Sequence, residues 1–375
     1  VQIAHDTYKL VASLFDFEEL GHVKVKGKAE PIRTYQVIRS KDISGKRRGI
    51  TGPSVPLVGR DEAWGKLTAA MEQVLKGNGH IVTITGAAGL GKSRMIADLR
   101  EEWRQFYPVV SSEQEVPLPD TRWYETYALS YQTTSAYGLF QNFIRQACGA
   151  AQGDLPAVLR QKLKVFISIA LPADQQGKAT DVLETLFGLR QDGGTLLAGE
   201  AFKSELFETM TALVSAWAGD SPGVIVCDDI QWSDQVSMDL LAHLFRLTDR
   251  LPILFVCVLR PDRRSPGWGI KAVADGEYHH RFTEIQLDAL TQEDSRTLVR
   301  QLLHSDRLPD FLQDDIYTKA AGNPYFIEEI IREMMDNGSV ERGEHGGTWQ
   351  LAPNFDMEKM TIPDSLQSML TARID

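Results

Sequence analysis

The run Gly86-Ala87-Ala88-Gly89-Leu90-Gly91-Lys92-Ser93 limits what this chain can fold into more than any other stretch. It follows the apolar segment Ile81-Val82-Thr83-Ile84, which reads as a buried strand. It opens a segment in which Met95, Ile96, Leu99 and Trp103 recur at helical spacing. A strand, a loop of G-x-x-x-x-G-K-[ST] spacing and a helix N-terminus, in that order, make a phosphate cradle. Glycines lack the Cβ that would block inward-turned N–H groups. The helix N-terminus adds unpaired donors and the positive end of its dipole. In such a cradle Lys92 reaches the β- and γ-phosphates, and the Ser93 hydroxyl ligates Mg2+.

The second landmark is Val224-Ile225-Val226-Cys227 followed by Asp228 and Asp229. Four apolar residues in a row predict a central strand covered on both faces, with two carboxylates at its C-terminal end. A capping Asp after a strand would look the same, but beside a phosphate loop the pair has the chemistry that a Mg2+-nucleotide needs. A further buried strand, Ile253–Leu259, ends in Arg260-Pro261, and Phe282–Leu287 reads as another. Pro108-Val109-Val110 is expected to open the second strand of the set. Strands alternating with helices predict an α/β fold with a parallel wound sheet. From Thr126 to Ala216 the pattern is largely helical. Its stripes, Phe140, Phe143, Ile144 and Ala147, then Val158, Leu159, Leu163, Phe166 and Ile167, read as core.

Before the loop, Trp64, Leu67, Met71 and Leu75 predict an amphipathic helix closed by Gly77-Asn78-Gly79. After Asp288 the chain reads as helical. Thr291 is the expected N-cap with Asp294 three residues on. Gly322-Asn323-Pro324 separates two helices, the second lined by Phe326, Ile327, Ile330, Ile331 and Met334. Trp349-Gln350-Leu351 reads as a short strand and Ile362-Pro363 as the start of a last helix. At the other end, Thr7–Phe15 is expected as a helix, and Val23–Lys26 and Arg33–Ile38 as a hairpin turned at Gly27 and Pro31. Residues 39–56, rich in Gly, Pro, Lys and Arg, read as a flexible linker.

Acidic residues outnumber basic ones 51 to 40, a formal net charge of −11, which disfavours nucleic-acid binding by the chain as a whole. No apolar run is long enough for a bilayer span. Cys148, Cys227 and Cys257 are too dispersed for disulfide or zinc spacing, and two lie in strand-like runs, as in a reducing, cytoplasmic protein. His279-His280 lacks a third metal ligand nearby, and Trp123, Tyr124 and Tyr127 lack the basic neighbours of a base-stacking surface. The chain does not begin with Met and ends inside an apparent helix, so a piece of a longer protein is expected.

Two resemblances follow from ordered motifs. Phe17-Glu18-Glu19-Leu20-Gly21, Val25-Lys26-Gly27-Lys28, Glu30-Pro31-Ile32 and Tyr35-Gln36-Val37 resemble the C-terminal end of class III adenylate/guanylate cyclase domains. That resemblance implies a short α+β remnant at residues 1–40, with Lys26 as a phosphate contact. From the residues alone, Lys24, Lys26 and Lys28 are one solvated face. Val58-Gly59-Arg60, the phosphate loop, Asp228–Asp234, Arg260 and Gly322–Glu329 occur in the order of the AAA-related signal-transduction ATPases with numerous domains (STAND). This resemblance implies a P-loop NTPase with a helical insertion. Val58, Gly59 and Arg60 would lie against adenine. Gly86 to Ser93 and Arg94 would hold phosphates, and Pro324 would close over the base. Arg260 would sense the terminal phosphate. Asp228 and Asp229 would hold Mg2+ and polarise water, with Asp228 standing where many relatives have Glu.

Together the resemblances imply a cyclase end at 1–40, a linker at 41–56 and an ATPase domain at 57–287. A helical lid would follow at 288–340, then the start of a winged-helix-like domain at 341–375. The function they imply is an ATP-binding, slowly hydrolysing switch that regulates a cyclase in cis. Further helical repeats and protein partners are expected in the parent. A nucleotide-holding scaffold without turnover and a STAND-type transcriptional regulator remain open.

Overall fold

The computed structural model describes residues 2–4, 7–8, 15–23, 32–40, 56–107, 122–130, 135–190, 199–219, 221–305, 308–342 and 349–352. The chain divides into two units, Val1–Gly49 and Ile50–Asp375.

In the first unit, β1 (Gln2–Ala4), β2 (Phe15–Val23) and β3 (Ile32–Ser40) form an antiparallel sheet with β3 in the middle. Phe15 therefore opens a strand instead of ending a helix, and β2 ends at Val23, where a strand was expected to begin. The alternation in Phe-Asp-Phe-Glu explains the difference, because it has the period of a pleat. Phe17 packs edge-on against Tyr8 and Tyr35, and Tyr8 stacks on Tyr35 at 3.9 Å between ring centroids. Thr7 and Tyr8 are helical, and Arg33–Ile38 is a strand as expected, within β3; residues 9–14, residues 24–31 with Lys26, and linker residues 41–55 lie outside the described residues.

The second unit is built on β4 (His80–Gly86), β5 (Trp123–Tyr127), β6 (Gly223–Asp228), β7 (Ile253–Leu259) and β8 (Phe282–Leu287). All pairs are parallel, in the order β5-β6-β7-β4-β8. Along β7 the pleat splits the side chains between two cores. Leu254, Val256 and Val258 join Val82, Ile84, Leu67, Met95 and Leu99 on one face. Ile253, Phe255, Cys257 and Leu259 face the other with Phe140, Leu163, Met210 and Leu241. The first face is covered by α1 (Asp61–Leu75) and α2 (Lys92–Phe106). The second carries the helical insertion, α3 (Gly138–Ala147), α4 (Pro156–Ala170), α5 (Ala173–Leu186) and α6 (Gly199–Ala218). Helices α7 (Gln235–Phe245) and α8 (Pro266–Tyr278) complete it.

The edge strand β5 replaces an expected helical start at Thr126. Its sequence, Trp-Tyr-Glu-Thr-Tyr, is aromatic and β-branched, the composition that suits a pleated surface. Trp123, Tyr124 and Thr126 are buried, whereas Tyr127 is exposed. Pro108–Val110 lies outside the described residues, and β5 holds the second place in strand sequence. Helices α9 (Gln292–Leu303), α10 (Asp310–Ala320) and α11 (Pro324–Asp336) form their own core from Leu298, Leu303, Ile316, Ile327 and Ile331. Thr291 caps α9 as expected: its hydroxyl accepts the Asp294 N–H and donates to the Asp294 carboxylate. A two-stranded ribbon of β9 (Val340–Arg342) and β10 (Trp349–Leu351) follows. Among the described residues no helix is long and apolar enough to cross a membrane.

One fold-level prediction concerns His80, whose Nε2 lies 2.9 Å from Thr283 Oγ1 across β4 and β8. Burial, then the nearby Arg281 charge, pushes its pKa from 6.5 down to about 4. The unfolded chain therefore binds a proton before the folded one does. Stability should be full above about pH 6.5 and fall toward pH 4, by roughly 1–3 kcal/mol from this residue. His80→Gln should flatten that part of the denaturant midpoint against pH; an unchanged slope would assign the effect elsewhere.

Candidate functional site

The C-terminal ends of β6, β7 and β4, adjacent in the sheet, carry Asp228, Arg260 and the glycine loop. Open parallel sheets place ligands at this end. Gly89 and Gly91 take φ of +80° and +95°, the left-handed region that only glycine enters cheaply.

Five consecutive loop carbonyls are each claimed by a donor. Lys92 Nζ donates to Gly86 O at 2.7 Å and to Ala87 O at 2.9 Å. Asn323 Nδ2, just ahead of α11, donates to Ala88 O at 2.9 Å. The Tyr325 N–H donates to Gly89 O at 3.3 Å. Arg60 Nη2 donates to Leu90 O at 3.2 Å and also to Asp288 O at 2.7 Å. With its acceptors committed in this way, the loop offers an anion its N–H groups.

The charges around the loop sense one another. Lys92 is only 8% exposed. Burial pulls its pKa from 10.5 to about 8, with the Asp229 and Asp228 charges opposing and Arg260 assisting. Asp228 is pushed from 3.8 up to about 7 by burial first and the Asp229 charge second. The Asp229 N–H donates to Asp228 Oδ1 at 2.8 Å and resists that rise. Asp229 itself has φ +53°, unusual for a residue with a side chain, and its Oδ1 accepts Gln231 Nε2 at 2.8 Å. The Arg260 guanidinium lies 5.9 Å from the Trp232 ring centroid. A buried lysine whose pKa is depressed, near a buried carboxyl whose pKa is raised, fits a bound phosphate and a divalent cation. The oxygen donors Ser93, exposed at the start of α2, and Asp228 are of the hard type that Mg2+ prefers.

Most of the residues expected at the site converge on it. Val58 packs against the core of α9–α11, and Gly59 faces the Asp294 carboxylate of α9. Arg60 joins the phosphate loop to the β8–α9 junction, so Val58-Gly59-Arg60 marks the meeting of the sheet with the α9–α11 helices. Arg94 donates to Asp98 at 2.9 Å, and its charge acts on Glu328 of α11. Pro324 is the first residue of α11, half-buried and one position from Asn323. Lys26 lies outside the described residues.

Sequence reading missed three contributors. Asn323 both caps α11, accepting the Tyr325 N–H at 3.1 Å, and touches the loop. An Asn before a Pro is a helix-start signal and could have marked the cap, though not the loop contact. Gln231 reaches Asp229 and the Arg260 backbone. Asp234 caps α7 through the Ser237 N–H and also accepts the Tyr137 and Gly138 N–H groups at the start of α3.

This fold and this loop define a P-loop nucleotide-binding module. Residues 56–256, more than half of the chain, match the AAA ATPase domain family, and the chain belongs to that family. Residues 291–342 match a domain of unknown function, DUF8739. Over 343 residues the chain is 24% identical to the uncharacterized protein R02095 of Rhizobium meliloti (strain 1021), covering 90% of this chain and 31% of that protein. The chain thus spans about a third of that relative's length. Among solved structures it is similar to the Aeropyrum pernix ORC2 protein, at 13% identity and a TM-score of 0.42, covering 78% of this chain and 68% of that one. Similarity to domain III of the Thermotoga maritima replication initiation protein DnaA is at 13% identity and a TM-score of 0.37, over 76% and 86%. For the Pyrococcus horikoshii STAND protein PH0952, which has a tetratricopeptide repeat sensor, the figures are 15%, 0.32, and 73% and 30%.

Lys92→Ala should remove the phosphate cation and with it the thermal stabilisation by ATP. In the wild type that stabilisation should reach about 2.7 kcal/mol at 100 times Kd. Equal ATP-induced shifts in the two proteins would refute the phosphate assignment.

Proposed function

We propose that this chain is a Mg2+-dependent ATP switch. It would bind ATP or ADP between the sheet and the α9–α11 lid, hydrolyse ATP slowly, and regulate a class III cyclase domain that makes cyclic AMP from ATP. The observation that carries the reading is the shared loop. Asn323 and Tyr325 from the lid hold the carbonyls of Ala88 and Gly89, next to those that Lys92 holds. Phosphate occupancy and lid position therefore act on the same few peptide units.

In this reading the loop N–H groups and Lys92 bind the β- and γ-phosphates, and Ser93 and Asp228 hold Mg2+. The cation, when bound, neutralises charge on the phosphates. Asp229 orients the attacking water and accepts its proton, releasing ADP and phosphate. Arg260 touches the terminal phosphate and so distinguishes ATP from ADP. Pro324, beside Asn323, brings the base under the lid. Nucleotide can shift the lid only by its difference in affinity for the two lid positions. The cyclase link rests on the resemblance carried by Phe17–Gly21 and Tyr35–Val37. The proposed layout keeps an ATPase domain at 57–287, the lid at 288–340 and the start of a winged-helix-like domain at 341–375.

Asp229→Asn should keep ATP binding but lower turnover by about 100-fold, as loss of a general base does. Asp228→Asn should instead raise the Mg2+ concentration needed. Wild-type rates in both variants would remove the paired-carboxylate mechanism, and negligible wild-type turnover with tight ADP retention would favour the scaffold.

A second test addresses the lid. A Cβ at Gly89 would stand 2.6 Å from Asn323 Oδ1. The left-handed φ adds about 1–2 kcal/mol for any side chain. Gly89→Ala, and more mildly Asn323→Ala, should speed hydrogen exchange over residues 322–328 and erase its difference between ATP and ADP. Exchange that is the same in every nucleotide state of the wild type would sink the switch.

A further inference from the structure

Gln231 stands in the short helical turn Ile230–Trp232 between β6 and α7, and it is 5% exposed. Its side chain spans two elements. Nε2 donates to Asp229 Oδ1 at 2.8 Å, and Oε1 accepts the backbone N–H of Arg260 at 3.1 Å. A peptide N–H is only a donor and a carboxylate only an acceptor, so the amide fits in one orientation. Turned over, it would set N–H against N–H and oxygen against oxygen.

The surroundings keep this bridge in place. Asp229 is left-handed, so its carboxylate leaves the chain in a direction that a regular strand end would not give. Gly267, in the first turn of α8, lets that helix close on the Ile230 carbonyl; a Cβ there would lie 2.3 Å from the oxygen. The Trp232 ring meets the Arg260 guanidinium from the same turn. The turn thus holds Asp229 by one residue and Arg260 by two.

We propose that Gln231 is a positioning residue that couples the water-orienting carboxylate of Asp229 to the phosphate-sensing Arg260 on the next strand. The inference rests on the switch reading above. Gln231 touches neither phosphate nor water; it fixes the Asp229 carboxylate relative to the end of β7. A pull on the Arg260 guanidinium that shifts its backbone at the end of β7 then reaches Asp229 through one amide. Asn in this place would be one methylene too short to hold both ends. Glu would keep the acceptor for Arg260 but turn an anion toward Asp229.

The test uses the 375-residue chain and compares Gln231→Met, Gln231→Glu, Arg260→Ala and the double variant Gln231→Met/Arg260→Ala. ATP and ADP affinities are read alongside single-turnover hydrolysis from pH 5.5 to 8.5. Gln231→Met should lower turnover about 10-fold or more while changing ATP affinity less than about 3-fold, the signature of an interaction acting on the chemical step. Arg260→Ala should then cost much less in the Gln231→Met background than in the wild type, because coupled residues are not additive. Gln231→Glu should be slowest at high pH and regain turnover as acid protonates the new carboxyl. Should Gln231→Met fail to fold, the near-isosteric Gln231→Glu profile decides alone. Additive losses, or a Gln231→Glu profile parallel to the wild type, would overturn the coupling. Loss of ATP binding in the wild type would instead overturn the switch reading itself, and the coupling with it.

Discussion

The structure depends on where the carbonyls of one glycine loop point. A loop that is to bind an anion must turn its peptide dipoles so that N–H groups face the ligand, which leaves the oxygens needing donors. Here those donors are four groups: the loop's own lysine, the residue that caps α11, that helix's first turn, and an arginine ahead of α1. They come from three separate stretches of the chain: Arg60, Lys92, and the neighbours Asn323 and Tyr325. The sheet supplies their common origin, since β4 delivers the loop and β8 leads into α9–α11.

The acidic end of the site follows a similar economy. Asp228 ends a strand buried on both faces, and Asp229 turns out of it in a left-handed conformation. Burial first, and the nearness of Asp229 second, make a charge on Asp228 costly and raise its pKa. Natural active sites hold such unfavourable pairs where a ligand of opposite charge relieves them. The Lys92 ammonium, itself short of counter-charge, is the matching half.

Much of this was legible in the sequence, because the signals were local. The loop, the two aspartates, Arg260 and the Gly-Asn-Pro helix start all carry short patterns with a direct physical meaning. β6 and β7 announced themselves as unbroken apolar runs. The losses came where short patterns conflict or where no local signal exists. β5 was hidden because five aromatic and polar residues fit either a strand or a packing cluster. β2 was displaced because an amphipathic run before it suggested a helix reaching Phe15. Asn323 bonds a carbonyl 235 positions away, and Gln231 bonds a backbone 29 positions away. Such side chain to backbone contacts exist only once the sheet order is fixed, and nothing near either residue encodes them.

Gly89 and Asn323 touch so closely that neither position is free to vary by itself. A larger residue at 89 requires a smaller or differently turned one at 323 in addition to bearing the left-handed φ, and a longer residue at 323 requires the loop to open. In the evolutionary record of such chains these two sites should drift as a pair, with paired exchanges outnumbering single ones. A lid grafted from one ancestor onto the loop of another would inherit a mismatch at this contact. The contact would thus act as an inheritance lock, tying the loop to the start of α11 as one unit even where the sequence between them diverges.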